Sequence, residues 1–129
     1  MNNLNMKRIL HFFLVAFALV SCSSPKQAEP VIREYLMGNI SNPDSYTAGQ
    51  TTVVTKGVID ANKILHWENI PEGDKIDVTL LRHEFTYRDR TDTITDAAFY
   101  FYMDPALKVI YYVHRDLGSG PLFNIENAK

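Results

Sequence analysis

The 129-residue chain is poor in cysteine, in tryptophan and in excess charge of either sign. It has one Cys and one Trp, and its 13 Lys and Arg nearly balance its 15 Asp and Glu. A lone cysteine cannot form an intramolecular disulfide, which excludes a disulfide-stabilised fold and any cysteine-rich zinc site. Because no block of like charge stands out, nucleic acid is not expected as a partner.

A long hydrophobic run is also absent. The most apolar stretch, Ile9 to Val20, has twelve residues and contains His11, whereas a membrane-spanning helix needs about 20 mostly apolar residues. The stretch follows Lys7-Arg8 and runs into the sequence Leu-Val-Ser-Cys, which ends at Cys22. A basic segment, a short apolar segment, small residues and a cysteine, in that order, resemble a bacterial lipoprotein signal peptide with its lipobox.

This resemblance implies cleavage before Cys22, which then carries a diacylglyceryl group and an amide-linked acyl chain such as palmitate. Each buried methylene contributes about 0.8 kcal/mol, so more than one chain holds a protein stably on a membrane. The alternative is a plain secretory signal with a chance cysteine. The sequence thus divides into a signal peptide (1–21), a short lipidated tether (22–28) and a single domain (29–129).

The expected location is the bacterial cell envelope, on the outer membrane facing the periplasm. Loss of Lys7 and Arg8 with the signal leaves 11 Lys and Arg against 15 Asp and Glu, a net charge of −4. Surface-exported lipoproteins of Bacteroidota often carry an acidic cluster just after the cysteine. This chain has Ser-Ser-Pro-Lys-Gln-Ala-Glu there, which favours the periplasmic side.

The first element of the domain is predicted to be a helix that ends at Met37. Ser24 suits an N-cap and Pro25 a first helical position, whereas Pro30 makes a start near Glu29 an equally good reading. Gly38-Asn39 marks its end. Helical spacing predicts one buried stripe, formed by Val31, Ile32, Tyr35 and Leu36.

The remainder is predicted to be antiparallel sheet. The strand segments are Thr51 to Ile59, Ile76 to Arg88, Ala97 to Met103 and Val109 to Arg115, with Ile64 to Trp67 as a further short strand or the end of the first. Apolar alternation in the second segment changes phase at Leu80-Leu81, which predicts a β-bulge. One helix followed by about four strands predicts an α+β fold, with the sheet curled over the helix.

Two motifs in this region carry a family resemblance. Asn42-Pro43-Asp44-Ser45-Tyr46 is similar to the Asn-Pro-x-Ser-Tyr signature of small bacterial lipoproteins of the Bacteroidota kind. In those proteins a strand of the form His-x-Phe-x-x-(Lys/Arg) follows, and it is matched here by His83 to Arg88. A Phe-rich strand, an Asp-containing turn and a Val-containing strand also match, at Phe99 to Phe101, Asp104 and Val109. The resemblance implies a cystatin-like or small NTF2-like α+β domain and no particular activity.

Residues with catalytic or metal-binding chemistry form no recognised pattern. His66, His83 and His114 lack the spacing of a metal site, and neither Ser45 nor Ser119 has the context of a nucleophile. The densest charged region reads either as an anion or peptide site or as a solvated strand face; its members are Arg82, Glu84, Arg88, Asp89, Arg90, Asp92 and Asp96. We therefore predict no catalytic residue, metal or cofactor.

The aromatic residues of the last two strands suggest a contact surface. Phe99, Phe101 and Met103 should share one face of their strand, with Tyr100 and Tyr102 on the other. Tyr111 and Tyr112, on the next strand, should lie one on each face. An outward tyrosine strip would suit partner recognition, whereas ordinary cross-strand aromatic pairing is the structural alternative.

Taken together, the sequence predicts a lipid-anchored, non-enzymatic envelope protein that binds an envelope protein or a small ligand. One alternative is a small NTF2-like envelope enzyme or enzyme subunit. That reading requires a pocket lined by His83 or Glu84 with a shifted pKa. Another alternative is an immunity-type lipoprotein.

Overall fold

The computed structural model describes residues 24–60, 75–123 and 125–126. The predicted signal peptide with Cys22, and the predicted segment Ile64 to Trp67 with His66, lie outside these residues. No helix in the described part of the chain is long and apolar enough to cross a membrane.

The helix α1 spans Pro25–Met37, which confirms the earlier of the two predicted starts. Ser24 is the N-cap, and its carbonyl oxygen accepts a hydrogen bond from the Gln27 amide at 3.0 Å, although its side chain makes no capping bond. Pro30 lies inside the helix, on its exposed side. The predicted tether (22–28) extends too far, because residues 25–28 form the first turn of α1 and Ala28 is fully buried.

In the described residues, four strands follow α1 and form one open antiparallel sheet in the order β1-β2-β3-β4. They are β1 (Thr47–Asp60), β2 (Lys75–Arg88), β3 (Ile94–Met103) and β4 (Ile110–Arg115). All four lie where the sequence predicts them, and β1 and β3 begin earlier than predicted. One helix packed on a curled, four-stranded sheet confirms the α+β fold.

The β-bulge that the sequence predicts in β2 is wrong, because β2 and β3 pair without interruption. The irregularities lie opposite, in β1, where the register shifts between Ala48 and Thr51 and again between Val53 and Thr55. Val53 pairs with Leu81 and Thr55 with Leu80, which leaves Val54 as the extra residue. The phase change at Leu80-Leu81 arises instead because both faces of β2 are covered, so that apolar side chains are required on each face.

The covering of both faces produces two cores. The helix-side core contains Ala28, Ile32, Leu36, Leu81, Phe85, Phe101, Met103 and Leu107. The tyrosine-side core contains Ile59, Ile76, Val78, Leu80, Tyr100, Tyr102 and Tyr111, with Val109, Tyr112, Phe123 and Ile125 packed against it. Residues near the C-terminus therefore cover part of the sheet face that is remote from α1.

One backbone bridge holds this C-terminal segment to β1. The amides and carbonyls of Val58 and Glu126 exchange two hydrogen bonds, of 2.8 and 2.9 Å. The neighbouring Gly57 leaves no room for a side chain, since a Cβ atom there would lie 2.0 Å from the Glu126 carbonyl oxygen. A glycine is therefore needed for this close approach.

Candidate functional site

The Asn-Pro-Asp-Ser-Tyr motif (residues 42–46) forms hydrogen bonds with the end of β2. Asn42 adopts a left-handed conformation with φ 49° and caps a short 3-10 helix, Pro43–Ser45. Its side-chain amide donates to the carbonyl oxygens of Arg88 and Asp89, each at 3.0 Å. The Ser45 hydroxyl accepts a hydrogen bond from the Arg88 amide at 2.7 Å. The two motifs that carry the family resemblance are therefore in direct contact.

Tyr46 extends this contact to His83, at the start of the second motif. The Tyr46 hydroxyl lies 2.7 Å from Nε2 of His83, and the Thr51 hydroxyl lies 2.7 Å from its Nδ1. The imidazole is only 1% exposed and stacks on Phe85 with the ring centroids 5.7 Å apart. Both ring nitrogens thus have hydroxyl partners, as a buried histidine requires.

Burial favours the neutral forms of the imidazole and of the phenol. It lowers the pKa of His83, and the carboxylates of Glu29 and Glu84 offset this effect only in part. Burial also raises the pKa of Tyr46, with a smaller lowering from Arg33 and a raising from Glu29. A neutral imidazole has one donor and one acceptor nitrogen, so one hydroxyl donates to the ring and the other accepts from it.

A pocket of about 410 Å³ opens beside this pair of rings, between α1 and the start of β1. One face of α1 lines it with Lys26, Glu29, Pro30 and Arg33, which recur at helical spacing. Tyr46, Ala48 and His83 complete the lining. Among the described residues, no ion pair within 4 Å includes Lys26, Glu29 or Arg33. The pocket therefore combines unpaired charges on the helix with a phenol and an imidazole from the sheet side.

A second cavity, of about 540 Å³, also contacts Ala48, and three of the charged residues that line it pair with one another. Arg82 donates from Nε to the Asp116 carboxylate at 2.8 Å and from a terminal nitrogen to Glu84 at 2.6 Å. The hydrogen bond from Arg82 is the main reason why the pKa of Asp116 is lowered. Arg82 and Glu84 share a strand face, because they lie two residues apart on β2.

The other half of the predicted charged region is a structured turn. The Asp89 carboxylate accepts hydrogen bonds from the amides of Thr91 and Thr93 and from the hydroxyls of Thr91 and Thr95. These bonds lower the pKa of Asp89 to about 2. Its acceptor atoms are therefore used within the β2–β3 connection and are not presented to a ligand.

The four tyrosines do not form the exposed strip that the sequence predicts. Tyr100 and Tyr111 are each 6% exposed, Tyr102 is fully buried and Tyr112 is half-buried. The predicted separation of phenylalanines from tyrosines on β3 is confirmed, since the two sets enter different cores. The expectation that this face is open to a partner is wrong, because residues such as Phe123 pack on it.

Tyr111 and Tyr112 also depart from the predicted alternation. Tyr102 pairs with Tyr112 and Met103 with Ile110, so Tyr111 is an extra residue in β4. A bulge of this kind brings two consecutive side chains to similar directions, and both tyrosines pack with the tyrosine-side core. No feature of the short β4 sequence marks the bulge in advance.

The histidines in the described residues are separated by the sheet. His83 faces α1, whereas His114 packs against Tyr100 and Tyr102 on the opposite face. In the part of the chain that the structure describes, no group of three or more His, Cys, Asp and Glu is placed to hold a metal ion.

No family model, no curated protein and no solved structure matches this chain. The fold and the pocket define it as an α+β protein with a small cavity, lined by both charged and apolar side chains, at the junction of helix and sheet. Sequence reasoning singled out His83 but not Tyr46, Thr51 or the charged helix face as its neighbours. The spacing of Lys26, Glu29 and Arg33 along one helix face was the available signal.

Proposed function

We propose that this chain is a lipid-anchored, non-enzymatic binding protein of the bacterial cell envelope, and that it binds at the pocket beside Tyr46 and His83. The lipobox supports the anchor at Cys22, and the resemblance to small lipoproteins with the Asn-Pro-x-Ser-Tyr signature agrees with it. The expected site of residence is the outer membrane, facing the periplasm. The pocket replaces the tyrosine strip as the binding surface.

The single observation that carries this proposal is a set of charged side chains, without ion-pair partners among the described residues, beside the half-buried Tyr46 ring and the buried His83 ring. The volume of about 410 Å³ lies in the range of small-molecule sites. Such sites combine apolar walls with a few converging polar groups, and here Pro30 and Ala48 supply the walls. Tyr46 supplies a hydroxyl whose position is fixed by a fully buried partner, His83.

Two matched variants test whether ligand contacts Tyr46. Tyr46→Phe and Thr51→Val each remove one hydroxyl that bonds His83, but only Tyr46 lines the pocket. Native mass spectrometry of the protein purified from its own envelope should detect a co-purified ligand with wild type and with Thr51→Val. Tyr46→Phe should lose it. Equal retention by both variants would place the binding site elsewhere.

A small NTF2-like enzyme is the second candidate, and one observation favours it. His83 has a lowered pKa beside a phenol in a concave pocket, a combination typical of acid–base sites. A binding role is preferred because both ring nitrogens already have hydroxyl partners. If the co-purified ligand is converted to another compound by wild type and not by His83→Gln, the enzymatic reading is the correct one.

A further inference from the structure

We infer that the Tyr46–His83 pocket recognises a phosphoethanolamine group, carried by a phospholipid of the anchoring bilayer or by a soluble phosphoester. This inference rests on the proposed function, because it names the ligand of the same pocket. It is argued from the charges of the α1 face, from the two hydroxyl partners of the His83 ring behind Tyr46, and from the short stretch of sequence between α1 and Cys22.

The charges of the α1 face match a phosphate with an ammonium group beside it. Lys26 and Arg33 are two cations without an ion-pair partner among the described residues, and Glu29 lies between them on the same face. Guanidinium and ammonium groups bind phosphate through charge-assisted hydrogen bonds. A bare anion would be repelled by Glu29, whereas a zwitterion places its ammonium group there.

The hydrogen bonds behind Tyr46 can deliver a donor to the phosphate. If Nε2 of His83 carries the proton, it donates to the Tyr46 oxygen, and Nδ1 accepts from the Thr51 hydroxyl. The phenol proton is then directed to the ligand. In this arrangement Thr51 donates to His83, His83 donates to Tyr46, and Tyr46 donates to a phosphate oxygen. A bound phosphate therefore selects this tautomer.

The start of α1 lies close to the predicted lipid anchor. Three residue steps separate Cys22 from Pro25, and an extended chain advances at most about 3.6 Å per residue. Pro25, the first residue of α1, is therefore at most about 11 Å from the predicted acylation site, and Lys26 is at most about 14 Å from it. Phospholipid head groups occupy roughly the outer 5 to 7 Å of each side of a bilayer, so Lys26 is within reach of them.

The test uses the full lipidated protein in vesicles of digalactosyl diacylglycerol, a lipid without phosphate. One arm adds phosphatidylethanolamine to the vesicles, and the other adds soluble phosphoethanolamine to plain vesicles. The readout is the ¹⁵N chemical shift of the two ring nitrogens of His83. A response in the first arm identifies the membrane as the source, and a response in the second identifies a soluble ligand. Either response supports the inference, and no response in either arm overturns it.

Charge variants test the recognition directly. Lys26→Gln combined with Arg33→Gln should weaken phosphoethanolamine binding about tenfold or more, whereas the control Lys56→Gln, on exposed β1, should not change it. Glu29→Gln should weaken binding of phosphoethanolamine and strengthen binding of inorganic phosphate. The same effect on both probes would contradict the role of Glu29. A different co-purified ligand that Tyr46→Phe loses would overturn this inference and leave the proposed function standing.

Discussion

Single residues at the junction between α1 and the sheet make contacts that span long distances in sequence. Asn42 reaches Arg88 and Asp89, and Tyr46 reaches His83. Each of these contacts gives a polar group a hydrogen-bond partner. A polar group that is buried without a partner costs about 1–3 kcal/mol. The contacts therefore bear on stability as well as on the pocket.

Two substitutions at Asn42 separate its hydrogen bonds from its backbone conformation. Asn42→Gly tolerates a φ of 49° but loses both side-chain bonds, so we expect about 1–2 kcal/mol of destabilisation. Asn42→Ala should lose about 1 kcal/mol more, because alanine is strained in the left-handed region. Chemical denaturation measures both. Equal stability of the two variants would contradict the strain.

His83 should make the stability of the protein depend on pH. Its pKa is lowered in the fold from 6.5, so the unfolded chain binds a proton first as the pH falls. The contribution of the neutral imidazole is complete above about pH 6.5 and declines as the pH falls from there towards the folded pKa. Glu29 and Glu84 oppose the lowering and reduce the effect.

Denaturation as a function of pH checks this expectation for His83. His83→Phe should flatten the pH dependence of the free energy of unfolding between neutral pH and pH 5. His114 lies on the other face of the sheet, and the control His114→Gln should retain that dependence. A His83→Phe variant with an unchanged pH profile would show that another group is responsible.

At the scale of elements, the sheet separates two cores, one on each of its faces. Leu81, Phe85 and Phe101 pack under α1, while Leu80, Tyr100 and Tyr102 pack on the opposite face. The tyrosines of β3 therefore form part of a core, which the alternation along the strand does not indicate by itself. Cross-strand aromatic contacts such as that of Tyr102 with Tyr112, at 6.0 Å between ring centroids, account for its packing.

Changes on the two faces of β3 should therefore have similar consequences. Phe101→Ala should cost about 3–5 kcal/mol. The double change Tyr100→Thr and Tyr102→Thr should also destabilise the domain by several kcal/mol, because both rings are buried. Ile94→Thr is the control on the same strand, since Ile94 is 67% exposed. Thermal and chemical melts decide the matter, and a stable double variant would show that the tyrosine-side core contributes little.

At the scale of the whole molecule, the proposed anchor at Cys22 precedes the first residue of α1 by three positions in sequence, and the pocket lining begins at Lys26, in the first turn of that helix. The helix begins at Pro25, so little chain remains between the domain and Cys22. A tether this short would hold the domain near the membrane surface and restrict the distance at which it meets a partner. The proposed location and the proposed ligand are thus physically connected.

Acylation of Cys22 is testable without knowledge of the ligand. Cells that express the wild type should incorporate a fatty-acid analogue into the protein, and Cys22→Ser should remain an unlabelled precursor, because the thiol that receives the lipid is absent. Labelling followed by electrophoresis measures both. An unlabelled wild type would favour the plain secretory signal instead.

The sequence by itself determined the local elements and the alternation within them. The end of α1 at Met37, the position of each described strand and the division of phenylalanines from tyrosines on β3 follow from spacing and composition, which act between neighbouring residues. It also singled out the two motifs that meet at His83. It did not reveal that they touch, because pairing of segments about 40 residues apart leaves no periodic signal.

The tertiary structure alone decided where the bulges lie, what covers each face of the sheet and where a pocket opens. The register shifts in β1 and the extra residue Tyr111 in β4 depend on how partner strands align, and register is a property of the pair and not of either strand. Burial of Tyr102 depends on residues such as Phe123, which follow the last strand. A strand pattern states which side chains share a face, but only the packing of distant segments determines whether water or protein covers that face.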